Sequence, residues 1–182
     1  MKYFLALILP LFAALAQAQL QNGDLSQYTA IQGQPRLVPV AWSCANYPAR
    51  SAVCSYTPGS ITLLSTQAGA TATARMAYPA APSWWQALPG IEPGLYTLRY
   101  TLTKTGSIFA PPEAPYQAVT AKIGATLAGQ TPHEALPLGV PVQVEQSIMV
   151  TAPGVLSFGL ARGGPARGAI SYSISDVVLS PY

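Results

Sequence analysis

One histidine and six carboxylates are what the chain holds for acid–base chemistry. The histidine, His133, stands in Thr131-Pro132-His133-Glu134, a segment that reads as surface loop. The carboxylates are Asp24, Glu92, Glu113, Glu134, Glu145 and Asp176. Acid–base and nucleophilic catalysis need a base held beside its partner. Glu92 precedes a turn proline, Glu113 lies among prolines, and Glu145 occupies the polar side of an alternating pattern. No two are spaced to flank a glycosidic bond, as hydrolysis by paired carboxylates requires. A glycine-rich phosphate loop running into a helix is missing, and so is a His/Cys cluster at metal-ligand spacing. The chain reads as a non-enzyme.

Its aromatic residues carry more. Sugars are gripped by flat aromatic faces with a few polar groups around them. Trp84-Trp85, within Pro82-Ser83-Trp84-Trp85-Gln86, is the most conspicuous pair. Neighbours on a strand point to opposite faces, so one of the two can be core and the other exposed. Trp42, Tyr47 and Tyr56 flank the two cysteines and make a second candidate platform. Arg50, Arg75 and Gln86 are candidates for accompanying hydrogen bonds. Packing competes for every tryptophan, because a buried indole serves a core equally well.

The elements that must position these residues begin after a leader. Met1 and Lys2 open a short positive region, and Tyr3 to Leu15 is an almost unbroken apolar run. Ala16-Gln17-Ala18 then supplies small residues where a signal peptidase reads. Residues 1–18 are expected to be a signal peptide and 19–182 a single mature domain, secreted or held in the periplasm or cell envelope. The run is shorter than the ~20 residues that cross a bilayer, and no transmembrane segment is expected in the mature chain. Export places Cys44 and Cys54 in an oxidising compartment, where a pair is expected to be bridged. A redox pair would sit closer together, and no further Cys or nearby His completes a zinc set.

Charged residues are only 8% of the chain, and the net charge of +3 comes from 9 basic against 6 acidic side chains. So sparse a positive charge makes no basic patch, and nucleic acid is not the expected partner. A 50% hydrophobic content argues against disorder, and 18 prolines argue against a helical bundle. The apolar pattern instead alternates. Tyr96, Leu98, Tyr100 and Leu102 share one face of Leu95–Thr103, with Thr97, Arg99, Thr101 and Thr103 opposite. Thr71–Tyr78 repeats the rule, as do Val119 to Leu127, Val140–Val150, Leu156–Leu160 and Ile170–Ile174. With weaker runs at Leu37–Trp42 and Ile61–Ser65, about eight strands are expected. Pro58-Gly59, Pro93-Gly94 and Pro153-Gly154 punctuate them, and helix is confined to short pieces. Pro39 and Pro141 fall inside strand patterns and should mark edges or bulges. Ala110-Pro111-Pro112-Glu113-Ala114-Pro115 reads as one long surface loop. The sum is an antiparallel β-sandwich or barrel.

Three segments carry a resemblance. Leu20-Gln21-Asn22-Gly23-Asp24-Leu25-Ser26 resembles the opening of galactose-binding-like jelly rolls, including many carbohydrate-binding modules. Ile91-Glu92-Pro93-Gly94-Leu95-Tyr96-Thr97-Leu98 resembles their central strand, and Ile174-Ser175-Asp176-Val177-Val178-Leu179 their closing one. The resemblance implies one jelly-roll β-sandwich whose first and last strands lie side by side, often with a structural calcium near their ends. Asp24 and Asp176 are then the candidate ligands, although Ser26 and Ser175 stand where the family often has acidic residues.

Two functions follow as expectations. One is a non-catalytic module that binds carbohydrate or a cell-surface glycan through Trp84, Trp85, Trp42, Tyr47 and Arg75. The other is a structural cell-envelope component that meets an envelope protein through its uncharged outer faces.

Overall fold

The computed structural model describes residues 20–30, 37–45, 52–67, 83–109, 117–162 and 168–182. The expected leader, the strand expected at Thr71–Tyr78, the loop expected at Ala110–Pro115, Tyr47, Arg50 and Arg75 lie outside the described residues.

Among those residues twelve strands form, four more than the alternating runs suggested. They are β1 (Tyr28–Ala30), β2 (Leu37–Pro39), β3 (Ser43–Ala45), β4 (Ala52–Thr57), β5 (Ser60–Gln67), β6 (Ser83–Leu88), β7 (Gly94–Phe109), β8 (Gln117–Ile123), β9 (Thr126–Pro132), β10 (Pro141–Val150), β11 (Gly154–Arg162) and β12 (Gly168–Pro181). A single 3-10 turn spans His133–Ala135. The strands β10-β7-β12-β5-β4 make one five-stranded sheet and β3-β6-β11-β8-β9 another, while β1 and β2 pair alone. Every named strand pair is antiparallel, and the two larger sheets enclose the core. The molecule is an antiparallel β-sandwich, as the alternation predicted.

Alternation explains which side of each strand is buried. Leu98, Tyr100 and Leu102 of β7 face the core while Arg99 points to solvent. Leu156 and Phe158 of β11 do the same from the facing sheet, with Ser157 outward. Both prolines behave as expected. Pro141 opens β10, an edge strand, and Pro39 closes β2 in the small sheet. One expectation is corrected. Val119 to Leu127 is not a single strand, because Gly124 at φ +57° turns the chain back between β8 and β9. Val119, Ala121 and Ile123 stay buried, but Leu127 emerges 44% exposed beyond the turn.

The opening motif has a mechanical cause. Asn22 adopts φ +49° and Leu25 φ +57°, an unusual pair of left-handed residues in four. The Asn22 side chain holds them there. Its amide nitrogen donates to the carbonyls of Gln27 and Val40, at 2.8 and 3.1 Å, and its oxygen accepts from Gln27 N–H at 2.9 Å. Gly23 passes so close to β12 that a side-chain carbon would collide with the Val177 carbonyl. That approach lets Val177 N–H donate to the Gly23 carbonyl at 2.9 Å, so the first described segment lies beside the last strand.

The two sheets are closed differently along their long sides. Cys44 of β3 and Cys54 of β4 form a disulfide, 6.3 Å between Cα atoms, joining an edge of one sheet to an edge of the other. On the far side the amide of Gln146, on β10, fills the notch left by Gly129 on β9. At one end the 3-10 turn is tied to the core. His133 Nδ1 and the hydroxyl of fully buried Tyr172 share a 2.8 Å hydrogen bond, and Lys104 Nζ donates to the His133 carbonyl at 3.2 Å.

Loss of the disulfide, by Cys44→Ser with Cys54→Ser, should lower unfolding free energy by roughly 2 to 3 kcal/mol in urea titrations. An unchanged midpoint would show that the bridge adds nothing to closure. A second expectation concerns alkali. Burial pushes the Tyr172 phenol far above its usual range, and Glu134 adds to the push. The fold therefore holds the neutral phenol. Its stabilisation is whole below the unfolded value near about 10 and is lost as pH rises beyond it. Tyr172→Phe should cost roughly 1 kcal/mol at neutral pH through the lost hydrogen bond. From about pH 9 to about pH 11 it should lose less further stability than the parent protein. Equal alkaline losses in both proteins would contradict this assignment.

Candidate functional site

The site is built on β6, whose residues alternate sharply between two environments. Trp84, Gln86 and Leu88 are buried, whereas Ser83 and Trp85 are half-buried and Ala87 is exposed. Trp84 enters the sandwich, and its indole N–H donates to the Thr62 carbonyl of the opposite sheet at 3.0 Å. In register with it across the inner face lie Cys44, Phe158, Ala121 and Gly129. Gln86 is equally committed. Its side chain accepts from Gln21 N–H at 3.0 Å and donates to the Gln21 carbonyl at 2.7 Å, standing in for a neighbouring strand.

Trp85 must then project from the outer face. The residues in register with it form a row across the whole sheet: Ser43, Trp85, Ser157, Lys122 and Leu127. Its own strand adds Ser83 and Ala87, and Gly159 lies diagonally across. One large indole thus rises among mostly small side chains, with half-buried Val155 on the other diagonal and Leu127 at the far end of the row. Among the described residues its N–H makes no hydrogen bond, unlike those of Trp84 and Trp42. Lys122, exposed, stands two strands away, roughly 10 Å at ordinary strand spacing. An apolar ring face, an unused indole donor, three serine hydroxyls and an ammonium make a flat amphipathic surface. That combination can stack on a sugar ring and hydrogen-bond its hydroxyls. It contains no acid–base pair.

The remaining expected residues separate. Trp84 is 3% exposed and is corrected from ligand contact to core. Trp42 is corrected likewise: it is 3% exposed, stacks on Phe158 with ring centroids 6.1 Å apart, and its N–H reaches the Asn22 carbonyl at 3.3 Å. Neither indole can present its face to a ligand without leaving the core. Tyr47 and Arg75 lie outside the described residues. His133 is half-buried rather than solvated, anchored on Tyr172, and burial with the nearby Lys104 holds its imidazole below the usual range.

Asp24 and Asp176 do sit near the contact between the first described segment and the last strand, but their surroundings do not suit calcium. Both are exposed. Asp24 Oδ1 accepts from Ser26 N–H at 3.2 Å, and Asp176 Oδ2 accepts from the Ser175 hydroxyl at 2.9 Å. The adjacent carbonyls are turned inward: that of Asn22 accepts from Leu25 N–H and Trp42, that of Gly23 from Val177. Calcium takes six to eight oxygens. Among the described residues no three His, Cys, Asp or Glu side chains converge.

Ser43, Ser157 and Lys122 were not singled out from sequence. Ser157 and Lys122 occupy outward positions of alternating runs seen in the sequence, the second only as far as the turn at Gly124, but their alignment with Trp85 depends on strand pairings distant in sequence.

No protein-family model matches this chain, and no curated protein matches it. Similarity is found to solved structures. A family 29 carbohydrate-binding module complexed with mannohexaose is 10% identical, over 85% of this chain and 90% of that one, with a TM-score of 0.44. A cyclase from Fischerella sp. TAU is 12% identical over 90% and 96%, with a TM-score of 0.47. A Clostridium thermocellum xylanase fragment, its CBM22-1 and GH10 modules complexed with xylohexaose, is 8% identical over 78% of this chain and 26% of that one, at 0.44.

The opposite roles of the two neighbouring tryptophans lead to opposite expectations. Trp84→Ala should cost about 3 to 5 kcal/mol of stability, the range for emptying a buried indole site. Trp85→Ala should cost under about 1 kcal/mol, as for a residue outside the core. Thermal melts of the two variants check this, and similar losses in both would contradict the assigned faces.

Proposed function

We propose that this chain is an exported, non-catalytic binding domain for carbohydrate, with Trp85 as its stacking surface. The observation that carries the proposal is the outward Trp85, its N–H unused, set among Ser43, Ser83, Ala87 and Ser157. A pyranose laid on the indole would place its apolar face on the ring and its hydroxyls toward the serines and Lys122. The positive start, apolar run and Ala16-Gln17-Ala18 of residues 1–18 support export to where such ligands occur.

A second reading rests on the other outer face. Thr103, Ser173, Thr62 and Ser55 are in register across four strands of the β10-β7-β12-β5-β4 sheet, a row of short hydroxyl side chains. A polar, nearly uncharged face of that kind suits contact with an envelope protein. The readings separate by which face a substitution must alter.

Affinity electrophoresis in soluble polysaccharides, begun with mannan and xylan, should retard the protein. Trp85→Ala should weaken retention at least about tenfold, the effect of losing one stacked ring. A broad glycan array without a hit, or a Trp85→Ala variant retained like the parent, would overturn the proposal. Co-purification of an envelope protein lost on substitution of Thr103 and Ser173 would favour the second reading.

A further inference from the structure

A second aromatic pair stands apart from β6. Tyr28 on β1 is 50% exposed. Its ring centroid lies 6.3 Å from that of Tyr56 on β4, with the planes inclined at 49°. Tyr56 is fixed in place. Its hydroxyl donates to the Leu25 carbonyl at 2.6 Å, and the same carbonyl accepts from Gly59 N–H at 2.9 Å. The Tyr56 hydroxyl is therefore committed to the protein, and no hydrogen bond holds that of Tyr28 among the described residues.

Asp24 immediately precedes Leu25 and is exposed. One of its oxygens accepts from Ser26 N–H, and among the described residues it has no basic partner; the single ion pair there joins Arg99 to Glu145. The Tyr56 hydroxyl's bond to the Leu25 carbonyl sets Asp24, the preceding residue, beside the Tyr56 phenol; burial pushes that phenol upward, and Tyr28 and then Asp24 add to the push.

A carboxylate beside Tyr56, which itself meets Tyr28, and with no ion pair among the described residues suits one kind of group. A ring face attracts a cation lying within about 6 Å of its centroid. Since the centroids are 6.3 Å apart, one cation over the notch is in range of both. Asp24 supplies the opposite charge without having to abandon a salt bridge. A neutral ligand would gain from the rings but not from the charge.

We propose that Asp24, Tyr28 and Tyr56 form a site for an organic ammonium group, carried by an amino sugar or by a quaternary ammonium such as choline. The site stands independently of Trp85 and would survive failure of the carbohydrate reading.

The test uses the full mature chain and follows tyrosine ring resonances by NMR during titration. Choline should shift Tyr28 saturably, while its neutral isostere 3,3-dimethyl-1-butanol should not. Tyr28→Ala and Asp24→Asn should each weaken choline binding at least about threefold, whereas Tyr28→Phe, which keeps the ring, and Trp85→Ala should bind as the parent does. Glucosamine against N-acetylglucosamine separates the sources: discrimination at the level seen for choline assigns the ammonium to an amino sugar, and weaker discrimination assigns it to a quaternary group. Equal shifts from choline and its isostere would overturn the proposal. So would unchanged affinity in both Tyr28→Ala and Asp24→Asn, or loss of binding in Tyr28→Phe.

Discussion

The hydrogen bond from the Trp84 indole to the Thr62 carbonyl, 3.0 Å long, sets the phase of β6. It crosses from one sheet to the other, so it is available only when Trp84 points inward. Strand side chains alternate, and a slip of one residue would exchange every face at once. With Trp84 inside, Gln86 and Leu88 must follow it, and Trp85 must leave. The same inward phase aligns Cys44 for its bridge to Cys54 and sets Trp84 beside Phe158, which Tyr100 meets edge-on with centroids 4.9 Å apart. Core packing, disulfide closure and the outward indole are consequences of one choice of face.

A chain with so few charges has little electrostatic protection at its sheet edges, and the structure supplies other means. Edge strands invite pairing with a second chain. Here β3 and β4 are joined by the disulfide, and β10 lies against β9 through Gln146 and Gly129. Pro141 removes a donor where β10 begins, and Glu145 charges its middle. Covering edges in this way leaves the broad outer faces as the surfaces open to ligands. Those faces differ chemically: one carries a single indole among mostly small residues, the other a row of hydroxyls beside the Arg99–Glu145 pair and exposed Leu95, Met149 and Val178.

Much of this architecture was legible in the sequence because alternation is a local property. Leu98, Tyr100 and Leu102 could be assigned to the core from their spacing, as could Phe158 and Tyr172, while Tyr96 on the same face is only half-buried against it. The β8–β9 turn was hidden because Ala125 and Leu127 continue the apolar rhythm past Gly124, which carries no neighbouring proline to mark it. That Trp84 and Trp85 would divide between faces followed from their adjacency. Which of them went inside depended on Thr62, far away in sequence and on the other sheet. Tyr28 escaped notice because β1 is three residues long, too short to show a period. Burial of Trp42 likewise depended on a tertiary neighbour, Phe158, and on a turn carbonyl at Asn22.

The carbohydrate reading rests on the outward phase of Trp85, and hydrogen exchange of the three indole N–H groups, resolved by NMR, tests it most directly. The account predicts that the Trp42 and Trp84 signals persist in D2O, protected by burial and by their bonds to the Asn22 and Thr62 carbonyls. The Trp85 signal should vanish at once. Protection of Trp85 together with rapid loss of Trp84 would show that β6 is turned the other way, and the proposed site would fall with it.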